Sequence, residues 1–173
     1  AFTASLDASA PFTEGHRAVL SELRAVLEIG AGGAVKTRLD GGWLTDAGAG
    51  KPLFAPLALS GTGRFDGSKL TFDLGVKDGA GKPRLTLGGG FETQTGAGRA
   101  TLVLDPIRFA KGGEQPADLI PALALPAQVA GRLSGRAQIE WRGDWAKLRG
   151  EAGIEGFAVT FGGAALSEVT ARL

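Results

Sequence analysis

Apolar and polar side chains alternate along most of this chain. The alternation is longest at residues 129–141, where the odd positions are all apolar or glycine: Val129, Gly131, Leu133, Gly135, Ala137, Ile139 and Trp141. Most of the even positions are polar, among them Arg132, Arg136 and Glu140. A period of two over this length predicts a strand with one apolar and one polar face, because an amphipathic helix would repeat every 3.6 residues or so.

The same alternation recurs in shorter runs. The apolar positions of these runs are Val35, Leu39, Trp43, Leu53, Ala55, Leu57, Leu59, Leu70, Phe72, Leu74, Val76, Leu85, Leu87, Phe91, Ala100, Leu102, Leu104, Leu148, Ala152, Ile154, Phe157, Val159 and Phe161. Glycine-rich or Asp-Gly segments such as residues 78–81 separate the runs, which is typical of antiparallel hairpins. The chain therefore predicts an antiparallel meander.

The apolar positions of residues 18–27 fit the spacing of either an amphipathic helix or a strand. An internal repeat decides between the two. Residues 164–173 match residues 18–27 at six of ten positions. In the second copy Thr170 and Arg172 interrupt a helical stripe but keep the alternation of a strand, so we predict strands for both copies. The wide spacing of the copies indicates a larger array of similar strand groups.

One segment departs from the strand pattern. Pro116 stands near a helix start, apolar residues follow at helical spacing, and Pro126 stands near the helix end. We predict a short helix at residues 116–124, with Pro121 inside it. The preceding residues 112–116 are interpreted as a strand-to-helix connection that caps the end of a sheet, with a ligand contact as the alternative.

Composition removes several classes of site. The chain has 173 residues with no Cys and a single His, so it holds no Cys-based zinc site, disulfide, iron–sulfur cluster or thiol nucleophile. Lys and Arg number 19 against 18 Asp and Glu, a balance without the basic field that nucleic-acid binding needs. No stretch approaches the roughly 20 apolar residues of a membrane helix. We expect no nucleic-acid partner, no cofactor and no enzymatic activity.

Two motifs resemble known sites only superficially. Gly-Ala-Gly-Lys-Pro occurs at residues 48–52 and 79–83, but proline replaces the Ser or Thr of a phosphate loop and a strand follows instead of a helix, so both predict hairpin turns. His16 stands in no recognisable catalytic motif, and we interpret it as an exposed loop histidine. A hydrolase that uses His16 with a Ser or a carboxylate is the weakest hypothesis.

Many two-faced strands and a single short helix leave much apolar surface to cover. Such a sheet closes as a barrel or sandwich, or curves into an open trough. We predict that a trough would be lined by apolar positions of four successive strands: Leu70, Phe72, Leu74, Leu85, Leu87, Leu102, Leu104, Val129, Leu133, Ile139 and Trp141. Such a lining would accommodate acyl chains. A closed β-sandwich that acts as a structural scaffold is the alternative.

Several motifs in residues 53–173 resemble the C-terminal part of YdbH-like proteins of the AsmA superfamily. The most specific are Gly112-Gly113-Glu114-Gln115-Pro116, Gly131-Arg132-Leu133-Ser134-Gly135 and Ile139-Glu140-Trp141. Further fits are at residues 65–72, 96–100, 102–109 and 166–169, while the first fifty residues fit loosely.

The resemblance implies a mainly β fold: a long, curved antiparallel sheet shaped like a taco, with an open groove and one short helix. It implies a Gram-negative envelope protein that reaches across the periplasm and is anchored in the inner membrane by a segment outside this chain. Its groove would conduct phospholipid, held by its acyl chains, between the inner and outer membranes, with an outer-membrane lipoprotein as partner. On this expectation residues 1–173 are one segment of a larger groove domain, truncated at both ends.

The resemblance supplies no catalytic residues to carry over. The family is sometimes labelled a dicarboxylate-transport domain, but a dicarboxylate would need convergent arginines, whereas those of residues 129–141 are predicted on the polar face. An envelope scaffold without lipid conduction stays open as the alternative.

Overall fold

Each long stretch of alternating residues forms a strand in the computed structural model, which describes residues 2–13, 15–124, 126–143, 145–161 and 164–172. The strands are β1 (Phe2–Thr13), β2 (His16–Ile29), β3 (Val35–Asp46), β4 (Leu57–Phe65), β5 (Lys69–Asp78), β6 (Pro83–Glu92), β7 (Ala97–Phe109), β8 (Gln128–Arg142), β9 (Trp145–Phe161) and β10 (Ala164–Arg172). They form one ten-stranded sheet in chain order, with every neighbouring pair antiparallel.

The sheet is open, since β1 and β10 each pair with one neighbour and not with each other within the described residues. The predicted antiparallel meander is confirmed, and so is strand structure for residues 18–27 and 164–172. The closed sandwich is not found, because the described strands form one sheet and not two packed sheets.

Helical structure is limited to short turns. The helix α1 (Pro116–Leu119) and the 3-10 turns Ala31–Gly33 and Pro121–Leu123 are the helical elements of the described residues. The predicted helix at residues 116–124 is therefore wrong in extent. It breaks at Ile120 (φ −127°, ψ 84°), because a residue before proline is pushed out of the helical region. None of the helices described is both long and apolar enough to cross a membrane.

A bulge in β3 reverses the face of one aromatic residue. Gly41 has φ +71°, and the β3–β4 register shifts between Leu39 and Gly42. Trp43 then pairs with Ala58, on the face opposite Leu39. The prediction that Leu39 and Trp43 share a face is wrong, because one inserted residue moves every later side chain of the strand to the other face.

Alternate connections of a meander lie at opposite ends of its strands. Residues 47–56, 79–82 and 110–127 connect β3–β4, β5–β6 and β7–β8 at one end, here named the long-loop rim. Residues 30–34, 66–68 and 93–96 connect β2–β3, β4–β5 and β6–β7 at the other end, the short-turn rim. Leu53 and Ala55, predicted as strand, lie in the connection 47–56 because β4 begins only at Leu57.

Candidate functional site

The predicted groove-lining residues all lie on one face of the sheet, named the apolar face. Residues paired across antiparallel strands share a face. Rows of such pairs run across the strands: Leu70 with Phe91, Phe72 with Gly89, Leu74 with Leu87, Leu87 with Leu102, Leu85 with Leu104, Gly98 with Trp141, Ala100 with Ile139, Ile107 with Leu133, and Val129 with Val159. The face is continuous from strand to strand, while its contact with lipid stays a prediction.

The apolar face is open over much of its extent. Most of its side chains are half-buried, and Leu70 and Leu148 are 37% and 69% exposed. The chain exposes 11111 Å² in total, whereas a compact monomer of its mass would expose about 7,900 Å². The larger area is consistent with a single layer of strands whose apolar face is uncovered.

Glycines explain how a single sheet half-buries large apolar side chains. A Cβ placed at Gly61 would lie 2.7 Å from Leu74 Cδ2, and one at Gly89 would lie 2.8 Å from Phe72 Cζ. Leu74 and Phe72 therefore each lie over a glycine of the neighbouring strand, and the backbone of that strand shields one side of the side chain.

The long-loop rim of the apolar face is capped. Ile107, Phe109 and Val129 are 4%, 7% and 2% exposed. Leu119 of α1 packs against this cluster, as do Leu104, Leu133 and Phe157. Residues 110–124, named the cap, therefore cover the end of β7, β8 and β9. This agrees with the interpretation of residues 112–116 as a connection that caps the sheet.

Gln115 fastens the cap to the sheet. Its side-chain Oε1 accepts the Val129 N–H at 2.7 Å, and its Nε2 donates to the Val129 carbonyl at 3.1 Å and to the Ala110 carbonyl at 2.7 Å. The amide thus bonds Val129 as a neighbouring strand residue would. Its backbone N–H donates to Asp118 at 2.8 Å, which starts α1.

A small apolar cavity lies beneath the cap. It has a volume of about 160 Å³, and its walls include Phe109, Leu119, Leu133, Ile154 and Phe157. The apolar lining favours contact with hydrocarbon over contact with water.

Asp46 holds the connection 47–56 at the same rim. Its Oδ2 lies 2.7 Å from His16 Nδ1 and accepts the Leu53 N–H at 2.8 Å, and its Oδ1 accepts the Gly48 N–H at 2.9 Å. Burial alone would raise the pKa of Asp46, but the bonds from Leu53, His16 and Gly48 hold it below the usual value. The Ala55 N–H then donates to the Leu119 carbonyl at 2.8 Å, which ties this connection to the cap.

The interpretation of His16 as an exposed loop residue is therefore wrong. His16 begins β2, and its side chain is 16% exposed. The carboxylate beside it also accepts two backbone N–H groups of the connection 47–56, so the pair anchors this connection.

An ion cluster joins the β5–β6 hairpin to the cap. Arg84, 8% exposed, forms ion pairs with Asp78 and Glu114, and Lys82 Nζ lies 3.5 Å from Glu114. Burial alone would raise the pKa of Asp78, yet the Arg84 guanidinium and the Lys82 and Ala80 N–H groups hold that pKa below its usual value.

The opposite face is polar. Arg132 and Arg136 pair in register with Glu155 and Glu151, which confirms the face predicted for them, and Arg99 Nε lies 3.0 Å from Glu140 Oε1. Gly88 and Gly90 border a groove of about 580 Å³, whose lining combines charged residues such as Lys69 and Arg99 with apolar ones such as Phe91 and Trp145. The described residues place no group of three His, Asp or Glu side chains to hold a metal ion.

Sequence reasoning missed the anchoring roles of Asp46 and Arg84. Both act through contacts with distant connections, and only Asp46 carried a local signal, the Asp-Ala-Gly turn that follows β3. Gln115 stood in a distinctive motif, but its bond to Val129 joins residues fourteen apart.

Comparison with protein-family models, curated proteins and solved structures finds no match to this chain.

Proposed function

We propose that the apolar face holds phospholipid acyl chains and lets them pass from strand to strand, as part of a conduit between two membranes. The observation that carries the proposal is the continuous apolar face, uncovered away from the cap. Acyl chains need extended apolar surface without polar partners, and this face offers such a surface.

The dimensions of the sheet suit this role. Adjacent strands lie about 4.8 Å apart, so β4 to β9 extend the face by roughly 24 Å. One acyl chain reaches about 15 Å, half of the hydrocarbon core of a bilayer. An acyl chain that lies across the strands would contact about three of them at once. The face from β4 to β9 is longer than that, so the acyl chain has room to advance along the sheet.

The glycine-backed surface favours movement over tight binding. Leu74, Phe72 and Trp141 lie over glycines of the neighbouring strand, so these three side chains obstruct a sliding acyl chain less than upright side chains would. A surface with equal affinity along its length sets no direction, and the proposed conduction is passive.

The resemblance to YdbH-like proteins sets this proposal in the Gram-negative envelope. The chain would work in the periplasm between the inner and outer membranes, with an outer-membrane lipoprotein as partner. Fractionation of envelope extracts and co-purification with lipoproteins test this placement independently of lipid binding.

The first experiment is photo-crosslinking in the cell. A photoreactive residue replaces Leu87 on the apolar face or Thr86 on the polar face, and adducts are identified by mass spectrometry. Position 87 is chosen because it lies away from the cap, whereas Leu133 packs beneath it.

Phospholipid adducts at position 87 and none at position 86 would support the proposal. Protein adducts at position 87 without lipid would mean that another protein layer covers the face. The scaffold hypothesis would then replace lipid conduction.

A further inference from the structure

We propose that the cavity beneath the cap binds the methyl end of one phospholipid acyl chain. This inference rests on the proposed function, because the acyl chain would reach the cavity from the apolar face. The cavity lies between the cap and the sheet, with Leu119 and Leu123 on the cap side and Leu133 and Ile154 on the sheet side. It is a recess at one border of the uncovered apolar face.

The wall of the cavity suits hydrocarbon and nothing more polar. Within the described part of the chain, Arg132 is the only polar residue that borders it. The Arg132 guanidinium lies 3.9 Å from Glu155, its partner on the polar face. A headgroup, a glycerol ester or the backbone of a partner peptide would lose hydrogen bonds to water there and gain none. The methyl end of an acyl chain has no such bonds to lose.

The volume of about 160 Å³ corresponds to about six carbon atoms, because an apolar cavity of about 150 Å³ lined by leucine, isoleucine and phenylalanine accommodates benzene. Six carbons are only the end of a membrane-lipid acyl chain, which reaches about 15 Å. The rest of the acyl chain must therefore lie outside the cavity.

The apolar face offers a continuous path for that remainder. Leu133 and Ile154 are paired across β8 and β9, and both belong to the cavity and to the apolar face. The next pair on this face toward the short-turn rim is Gly135 with Ala152, whose small size leaves the approach to the cavity free. An acyl chain can thus run along β8 and β9 with its methyl end beneath the cap.

The cap is held in place without a ligand. Gln115 bonds Val129, and the Leu119 carbonyl accepts the Ala55 N–H at 2.8 Å. Leu123 is nevertheless 47% exposed, so an acyl end that enters the cavity would cover apolar surface of the cap. Such a ligand gains contacts without the cost of first ordering the cap.

The dependence of binding on chain length tests the size of the site. The protein is titrated with n-alkanols from butanol to octanol, and the NMR methyl signals of Leu133 and Ile154 report occupancy. Each methylene up to about six carbons should tighten binding about fourfold, the gain for full burial. Each further methylene would lie on a one-sided surface and should add no more than about twofold. A constant increment along the series, or signals that do not shift, would overturn the proposal.

Charged variants test the position of the site. Ile154→Asp should weaken hexanol binding at least about tenfold, because it places a carboxylate in the cavity wall. The matched control Ser134→Asp adds the same charge to the polar face of the adjacent strand and should change binding less than about twofold. Leu123→Asp, at the exposed border of the cavity, serves if circular dichroism shows that Ile154→Asp is not folded. Equal binding by the cavity variant and the control would overturn the proposal.

Photoreactive lipids test which end of the acyl chain enters. The probes are phosphatidylcholines with a diazirine either at the methyl end or beside the carbonyl of one acyl chain, and mass spectrometry maps their adducts. The methyl-end probe should mark Leu133, Ile154 and residues 119–123, and the carbonyl-end probe should mark the open face instead. Methyl-end adducts on the open face alone, or equal marking of the cavity by both probes, would overturn this proposal and leave lipid conduction standing. No adducts with either probe would overturn both.

Discussion

The indole ring of Trp141 in β8 lies over the backbone of Gly98 in β7. The two residues are paired in the sheet, and a Cβ at Gly98 would overlap the ring. The ring therefore rests on the sheet itself and needs no second layer to be half-buried.

Gly98→Ala should displace the Trp141 ring and destabilise the protein by about 1 to 3 kcal/mol, the usual cost of overpacking. Chemical denaturation measures the stability, and near-ultraviolet circular dichroism reports the ring. Gly90→Ala is the control, because its Cβ would meet nothing closer than 3.4 Å. Equal effects of the two variants would contradict the close packing of Trp141 on Gly98.

Gln115→Ala should free the cap from β8 at a cost of about 1 to 3 kcal/mol, because it leaves buried groups of Val129 without partners. Hydrogen exchange of the Val129 amide should accelerate. Gln115→Glu keeps an acceptor for that N–H but loses the donor to the Val129 carbonyl, so it should protect the amide better than alanine does. Unchanged exchange in both variants would show that Gln115 does not hold the cap.

Arg84→Met should destabilise the protein by roughly 3 kcal/mol, because it leaves Asp78 and Glu114 together without their shared cation. Lys82→Met removes an exposed partner of Glu114 and should cost less than about 1 kcal/mol. Urea denaturation compares the two variants. A loss as small for Arg84 as for Lys82 would contradict the central place of Arg84 in the cluster.

The anchor formed by Asp46 should weaken in acid. Its pKa is below the usual 3.8 in the folded protein, so its contribution to stability is present above the unfolded pKa and is lost as the pH falls through the folded pKa. Asp46→Asn should be less stable than the wild type at pH 7 and lose less stability below about pH 4. Urea denaturation across this range measures both, and identical acid slopes would refute the role of Asp46.

Leu102→Asp should abolish lipid adducts on the apolar face, because an unpaired carboxylate there disfavours acyl contact. Thr101→Asp introduces the same charge on the opposite face and should leave adduct formation at position 87 unchanged. The yield of phospholipid adducts at Leu87 compares the two variants. Equal losses would remove the argument that the apolar face is the lipid path.

Alternation of side chains was enough to predict most of the strands, though not β1, and, except at Trp43, the two faces of the sheet. Glycine-rich turns between the runs predicted the meander, because adjacent hairpins follow from local chain geometry. For residues 129–141 the pattern also placed Leu133 and Arg132 on opposite faces, as the register shows. These features depend on residues near one another in the chain.

Tertiary structure decided the rest. The bulge at Gly41 moved Trp43 to the polar face. The bond from Gln115 to Val129 and the anchor at Asp46 join segments that local patterns do not relate. Alternation could not show whether the apolar face was covered either, because the strands of a sandwich and of an open sheet have the same period of two. Only the packing of whole strands distinguishes the two architectures.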